Sequence, residues 1–266
     1  MIDNKNIFLK KKILIYGLGK SGLSTYKFLN KKAKLYLFDD NLKKKLRQQP
    51  KQWINNIKEI SKQKFDIIII SPGIDILNCK LCKFLKKNES KIYTDLDIFY
   101  SFYKNKSITI TGTNGKSTTA KILHDILSDQ NYDCRLIGNI GNPALSEKKI
   151  TKNTIFVIEA SSYQLDYSQL FTSKYSVILN ISPDHLERHR NLKNYINAKF
   201  KLLNSQSRDS IAFVNKNDLL INKKLNSKKY NPKIIRVDLK KANKIIKQLK
   251  NKYFLSAGNL ENQSFI

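Results

Sequence analysis

Long apolar runs are missing from this sequence of 266 residues. The longest are strand-sized, such as Ile67–Ile70, and a membrane span needs roughly 18 to 20 apolar residues, so none is expected. A signal peptide is missing too: Ile7-Phe8-Leu9 is too short an apolar region, and Lys10, Lys11 and Lys12 follow it. Cysteine is scarce. Cys79, Cys82 and Cys134 cannot all pair, which excludes a disulfide framework and fits a reducing compartment. Together these absences read as a cytosolic chain. Cys79 and Cys82 form a C-x-x-C, but no second C-x-x-C or H-x-x-x-H stands at a zinc-site distance. Two partly buried thiols on a helix is the plainer reading.

Arginine is also scarce, with six among the 50 basic residues. A formal charge of +29 would normally raise nucleic acid as a partner. Arginine, however, is the better reader of phosphates and base edges. The lysines are spread through every expected element in company with abundant Asn and Ile, all residues with AT-rich codons. The charge therefore reads as genome composition, with some non-specific affinity for polyanions at low salt. No specific nucleic acid and no membrane is expected as a partner, and the chain reads as a monomer.

What is present suffices for cores: 41% of residues are hydrophobic. Short apolar runs alternate with helical periodicity, the pattern of a doubly wound α/β fold. Expected strands are Lys12–Tyr16, Lys34–Phe38, Asp66–Ile70 and a short one near Ile92, with helices at Lys20–Asn30, Leu77–Lys87 and Asp95–Tyr103. A domain boundary is placed near Asn105. The alternation restarts with strand Ser107–Thr111, a glycine turn and helix Ser117–Ser128. Strands Asp133–Ile137, Thr154–Ile158 and Tyr175–Asn180 follow, then helix Leu192–Ser205 and strand Ser210–Val214. From about Asn222 the periodicity weakens.

The strongest local signal is Thr111-Gly112-Thr113-Asn114-Gly115-Lys116-Ser117-Thr118, set between a strand and a helix. Glycines let backbone wrap a phosphate, and the helix start offers free N–H groups. Lys116 would reach the β and γ phosphates of ATP, with the Ser117 hydroxyl on Mg2+. The spacing departs from the general phosphate-loop pattern, since only two residues separate Gly112 from Gly115. Glu159 follows a strand at the carboxyl edge where ligands collect, and could hold the metal or be an exposed loop acid. His185 also follows a strand; taken alone it reads equally as a packed imidazole in a capping region. His185 and His189 stand at i, i+4, but no third zinc ligand is apparent.

The shortened loop resembles that of the Mur ligases and the related folylpolyglutamate synthetases. Further blocks resemble the D-glutamate-adding branch in order and spacing: Gly138–Ala144, Glu159–Leu165, Asn180–His189, and Tyr195 with Ala198-Lys199. The resemblance implies an ATP site over Gly112, Thr113, Asn114, Gly115, Lys116, Ser117 and Thr118. It implies Mg2+ ligation by Ser117, Glu159, His185 and Lys199, with Lys199 carbamylated into an anionic ligand. Catalytic roles fall to Lys116, His185 and Lys199, and substrate contacts to Asn139, Ser161, Gln164 and His185.

Nearer the start, Gly17-Leu18-Gly19-Lys20-Ser21-Gly22 follows a strand and opens a helix, with Asp39 ending the next strand. By itself this pattern reads as a dinucleotide site, and a nicotinamide-dependent oxidoreductase is the alternative. A second nucleotide loop about 95 residues later is awkward for that reading. The resemblance implies instead a Rossmann-like UDP-sugar domain over 1–104, with contacts from Gly17, Leu18, Ser21, Asp39, Ser71, Pro72 and Gly73. Some family members carry arginine where Asn41 stands. Residues 105–266 would form the phosphate-loop α/β central domain, incomplete, with Asn259 near adenine in a divergent Ser256–Asn262 segment. The family has three domains, so the chain reads as a truncated form that lacks the third. The implied reaction joins D-glutamate to UDP-N-acetylmuramoyl-L-alanine through an acyl phosphate, in peptidoglycan precursor synthesis. A nucleotide-binding remnant without turnover is the other possibility.

Overall fold

The computed structural model describes residues 6–41 and 52–238, and Asn259 with its segment lies outside them. Within these bounds no helix is long and apolar enough to cross a membrane. The chain forms two compact units, the first up to Lys104 plus Pro143–Glu147 and Tyr167–Phe171, the second holding the rest. Those two short segments are the part of the division that no composition shift announces.

The first unit is a parallel sheet flanked by helices. Strands β1 (Lys12–Tyr16), β2 (Lys34–Phe38), β3 (Ile67–Ile70) and β4 (Ile92–Tyr93) are arranged in the order β2-β1-β3-β4. Parallel strands covered on both faces read as unbroken apolar runs; accordingly all four isoleucines of β3 are buried. Helices α1 (Lys20–Leu29), α2 (Ile57–Lys62), α3 (Cys82–Lys87) and α4 (Asp95–Phe102) complete the unit. Helix α3 is shorter than the sequence pattern suggests, because residues 77–81 form turns; Cys79 lies in them and Cys82 opens the helix. Both thiols are half-buried and free. The chain reverses sheet direction between β1 and β3, so the loops after these strands meet at the crevice where such sheets bind ligands.

The second unit is a six-stranded parallel sheet in the order β10-β9-β8-β5-β7-β6. Its strands are β5 (Ser107–Thr111), β6 (Cys134–Gly138), β7 (Ile155–Glu159), β8 (Tyr175–Ile178), β9 (Ile211–Asn215) and β10 (Lys233–Val237). Helices α5 (Lys116–Asp129), α6 (Ser162–Asp166), α7 (Leu186–His189), α8 (Leu192–Asn204) and α9 (Leu219–Asn226) connect them. The weakly periodic stretch after Asn222 thus completes α9 and then supplies β10, an edge strand whose residues are only partly buried and show no clean alternation. Strand β5 sits at the switch point, with β7 on one side and β8 on the other. The ends of β5, β7 and β8 therefore converge on one crevice.

Candidate functional site

In the second unit the loop from Gly112 to Gly115 leads directly into α5. Gly115 has φ 80°, a left-handed conformation that a side chain disfavours. The loop is held from outside by Asn180, at the end of the β8 segment. Its carbonyl accepts from Thr113 N–H at 2.9 Å, its Oδ1 accepts from Asn114 N–H at 2.9 Å, and its Nδ2 donates to Asn114 O at 3.2 Å. The Thr113 hydroxyl is also turned inward: it accepts from Ser182 N–H at 3.0 Å and lies 3.1 Å from the Tyr195 hydroxyl. Burial pushes the Tyr195 phenol up to about 12, so it stays protonated and able to donate. Asn180 and Tyr195 stand in sequence blocks picked out above but were given no role there. Side-chain amides after a strand were the available signal for Asn180.

Lys116 Nζ donates to Thr113 O at 2.9 Å, folding back over its own loop. Burial lowers its pKa, opposed by the carboxylates of Glu159 and Asp184. Ser117 is exposed and Thr118 half-buried in the first turn of α5. Glu159 is the last residue of β7 and 1% exposed, not a loop acid. One oxygen accepts from Asn139 Nδ2 at 2.9 Å; the other, Oε2, is buried with no hydrogen-bond partner. An unpaired buried carboxylate oxygen costs about 1–3 kcal/mol or more, and a hard divalent cation would satisfy it.

Helix α8 explains Lys199. Tyr195, Ala198, Lys199, Leu202 and Leu203 recur at i, i+3, i+4, i+7 and i+8 and are all buried, so the lysine stands in the apolar stripe. Its Nζ donates to Gly112 O at 2.7 Å and lies 4.6 Å from the Tyr195 ring centroid. Burial, reinforced by the nearby Lys116 charge, brings its pKa down to about 7.

His185 caps α7 with φ 53°, its ring half-exposed, 5.0 Å from the Tyr163 ring and with Nε2 3.4 Å from Asp184 Oδ2. His189 is the packed imidazole instead. It is 3% exposed, with Nε2 3.0 Å from Ser162 Oγ and its ring stacked on Tyr163. Among the described residues no three His, Cys, Asp or Glu side chains gather as a metal site, so the His185/His189 spacing gains no third ligand. Ser161 and Gln164 are paired with each other, Gln164 Oε1 accepting from Ser161 N–H at 3.1 Å.

Burial and the neighbouring cations take the His189 pKa from 6.5 down to about 4. Between these values the unfolded chain binds more protons, so stability is lost as pH falls from 6.5 through 4. A His189→Phe variant is expected to lack this component. Parallel pH–melting curves for the two proteins over that range would contradict the assignment.

In the first unit Gly17 has φ 89°, and its carbonyl accepts from Ser71 Oγ at 2.6 Å, joining the two crevice loops. Asp39 is fully engaged: Oδ2 accepts from Leu18 N–H at 2.6 Å and Oδ1 from Asn41 N–H at 2.9 Å. A dinucleotide ribose would need that carboxylate free. The Ser21 hydroxyl bonds to buried Asp95, while Pro72 is half-buried and Gly73 exposed. Tyr16 and Asp40, unassigned above, meet beside this loop, the phenol donating to Asp40 Oδ2 at 2.7 Å.

Comparison with known proteins agrees with both halves. Residues 110–264 match the Mur ligase middle domain, and residues 11–92 match the Mur ligase MurD-like N-terminal domain. A Rickettsia bellii protein named UDP-N-acetylmuramoylalanine--D-glutamate ligase is 39% identical over 213 residues, which cover 79% of this chain and 47% of that protein. The protein so named in Caldicellulosiruptor saccharolyticus is 34% identical over 217 residues, covering 77% of this chain and 48% of that one. The chain thus spans about half the length of the curated relatives it matches. Among solved structures, UDP-N-acetylmuramate:L-alanyl-gamma-D-glutamyl-meso-diaminopimelate ligase from Neisseria meningitides aligns with a TM-score of 0.53 at 15% identity. It covers 85% of this chain and 77% of that one, a likeness of fold alone. With 110–264 matched to its middle domain and 11–92 to an N-terminal domain, the chain belongs to the Mur ligase family.

Proposed function

We propose that the chain carries the UDP-sugar-binding and ATP-binding parts, 1–104 and 105–266, of an enzyme that joins D-glutamate to UDP-N-acetylmuramoyl-L-alanine. The supporting observation is the buried, unpaired Glu159 Oε2 beside a phosphate loop whose lysine feels its charge. In this reading the γ-phosphoryl of ATP passes to the sugar-peptide carboxylate, leaving ADP and an acyl phosphate. The amine of D-glutamate then attacks, phosphate departs and an amide remains. Loop N–H groups from Gly115 to Thr118 cradle the phosphates, those of Thr113 and Asn114 being held by Asn180, and Lys116 leaves Thr113 O to offset charge on the transferring group. Ser117 and Glu159 hold a magnesium ion, which supplies further charge compensation. Asn139 also holds the Glu159 carboxylate, and Asn139 and His185, with Ser161 and Gln164, place the sugar-peptide carboxylate. The Lys199 amine, neutral in part near pH 7, takes up carbon dioxide as a carbamate, losing a proton, and then serves with His185 at a second cation. Asn259 is assigned to adenine by motif position.

The first unit binds the UDP moiety through Gly17, Leu18, Ser21 and Ser71–Gly73, with Asp39 holding the loop in place through Leu18 N–H. UDP should raise the melting temperature of the chain and NADH should not. Ligand at 100 times Kd stabilises a native state by about 2.7 kcal/mol, well within reach of a melting scan. Saturable protection by NADH with none from UDP would favour the oxidoreductase alternative for this unit.

A further inference from the structure

Away from the crevice, helices α8 and α9 of the second unit enclose a cleft of about 400 Å³. It is lined by Leu192 and Ile196, one turn apart on α8, and Leu220 of α9, together with Lys193, Lys223 and Lys224. Neither helix contains a carboxylate within its bounds; Asp218, which caps α9, accepts from Ile221 and Ile181 N–H. A few exposed lysines of this chain have acidic partners, as Lys121 has Asp125 and Lys216 has Asp238. Here like charges crowd instead: after burial, Lys228 and Lys193 are what lower the Lys224 pKa. Lys193 also stands in the first turn of α8, where the helix dipole disfavours a cation. Leu219, beside the cleft, is 83% exposed.

We propose that this cleft docks an acidic amphipathic helix of a partner protein. Leucine-sized side chains at i and i+3 or i+4 would pack on the apolar side chains, and flanking carboxylates would meet Lys193 and Lys223, while Lys224 Nζ donates to Asn197 Oδ1 at 2.6 Å. The volume lies in the range that takes a few anchoring side chains, and a concave cleft suits a helix better than a flat bilayer. The chain's own tail has the wrong charge. Between Asp238 and Glu261 the sequence carries Lys240, Lys241, Lys244, Lys247, Lys250 and Lys252 and no carboxylate.

The probe is a labelled synthetic 14-residue helix of leucines at i, i+3, i+4 and i+7 with glutamates between, titrated by fluorescence anisotropy in about 0.15 M salt. A scrambled peptide of identical composition and vesicles rich in phosphatidylglycerol form the other arms. The amphipathic peptide should bind at least about tenfold more tightly than the scrambled one. The double substitution Lys193→Glu with Lys223→Glu should remove that preference while leaving the melting temperature near that of the parent. Leu220→Asn, which keeps the charge, should weaken the peptide as well. Equal binding of the scrambled peptide, indifference to both sets of substitutions, or capture by vesicles with none by the peptide would each overturn the proposal.

Discussion

Replacing Lys116 by alanine is expected to cost the chain most of its affinity for ATP. The amine now rests on Thr113 O at 2.9 Å, within the loop that would wrap the phosphates. Moving from that carbonyl to a phosphate exchanges a neutral acceptor for an anion, and charge-assisted hydrogen bonds are about twice as strong. A phosphate clamp of this kind contributes roughly 2 to 4 kcal/mol, which is about thirtyfold to several hundredfold in Kd. The loop itself should survive, since Asn180 and Tyr195 hold it independently of Lys116. UDP binding by the first unit should be untouched. Calorimetry that found ATP affinity unchanged in Lys116→Ala would remove the site from this loop.

The second large effect is expected at Gly22. A Cβ there would fall 1.9 Å from Gly17 O and 2.9 Å from Ser71 Oγ, so the first turn of α1 and the glycine loop would have to part. The nearer obstacle is backbone and cannot rotate away. Overpacking typically costs about 1 to 3 kcal/mol, and a clash this deep belongs at or above the upper end. Gly22→Ala should therefore lower the melting temperature and abolish protection by UDP. Gly19→Ala is the internal control, because a Cβ at that position meets nothing within 4 Å. If the two variants melt together, the close approach of helix and loop is not what requires glycine.

These contrasts show where the sequence was informative. Strands β1 and β2 were legible to the residue because buried parallel strands are rich in apolar residues, and β5, Ser107–Thr111, because β-branched residues run straight into the glycine loop. The phosphate loop was legible because its glycines and lysine have a mechanism attached to their spacing. Short elements were not: α6 and α7 are too brief to show a helical period, and β10 at the sheet edge lacks the apolar density of a central strand. Lys199 could have been found by periodicity, as a lysine in the middle of an apolar helical stripe. The engagement of Asp39 with Leu18 N–H was beyond reach. A carboxylate at the end of a strand has the same letter whether it awaits a ribose or secures its own loop. The histidine pair shows the same limit, since spacing alone could not say that His189 is packed and His185 half-open.

In the proposed site the second unit binds ATP through a cation held by Glu159 Oε2, which has no hydrogen-bond partner. Calorimetric titration of ATP into the chain, with magnesium and again with EDTA, tests it most directly. Saturable one-to-one binding is expected with magnesium, at least about tenfold weaker in EDTA, and a Glu159→Gln variant should no longer distinguish the two conditions. Equal affinity with and without magnesium in the parent chain, or a Glu159→Gln variant with the full magnesium dependence, would contradict it.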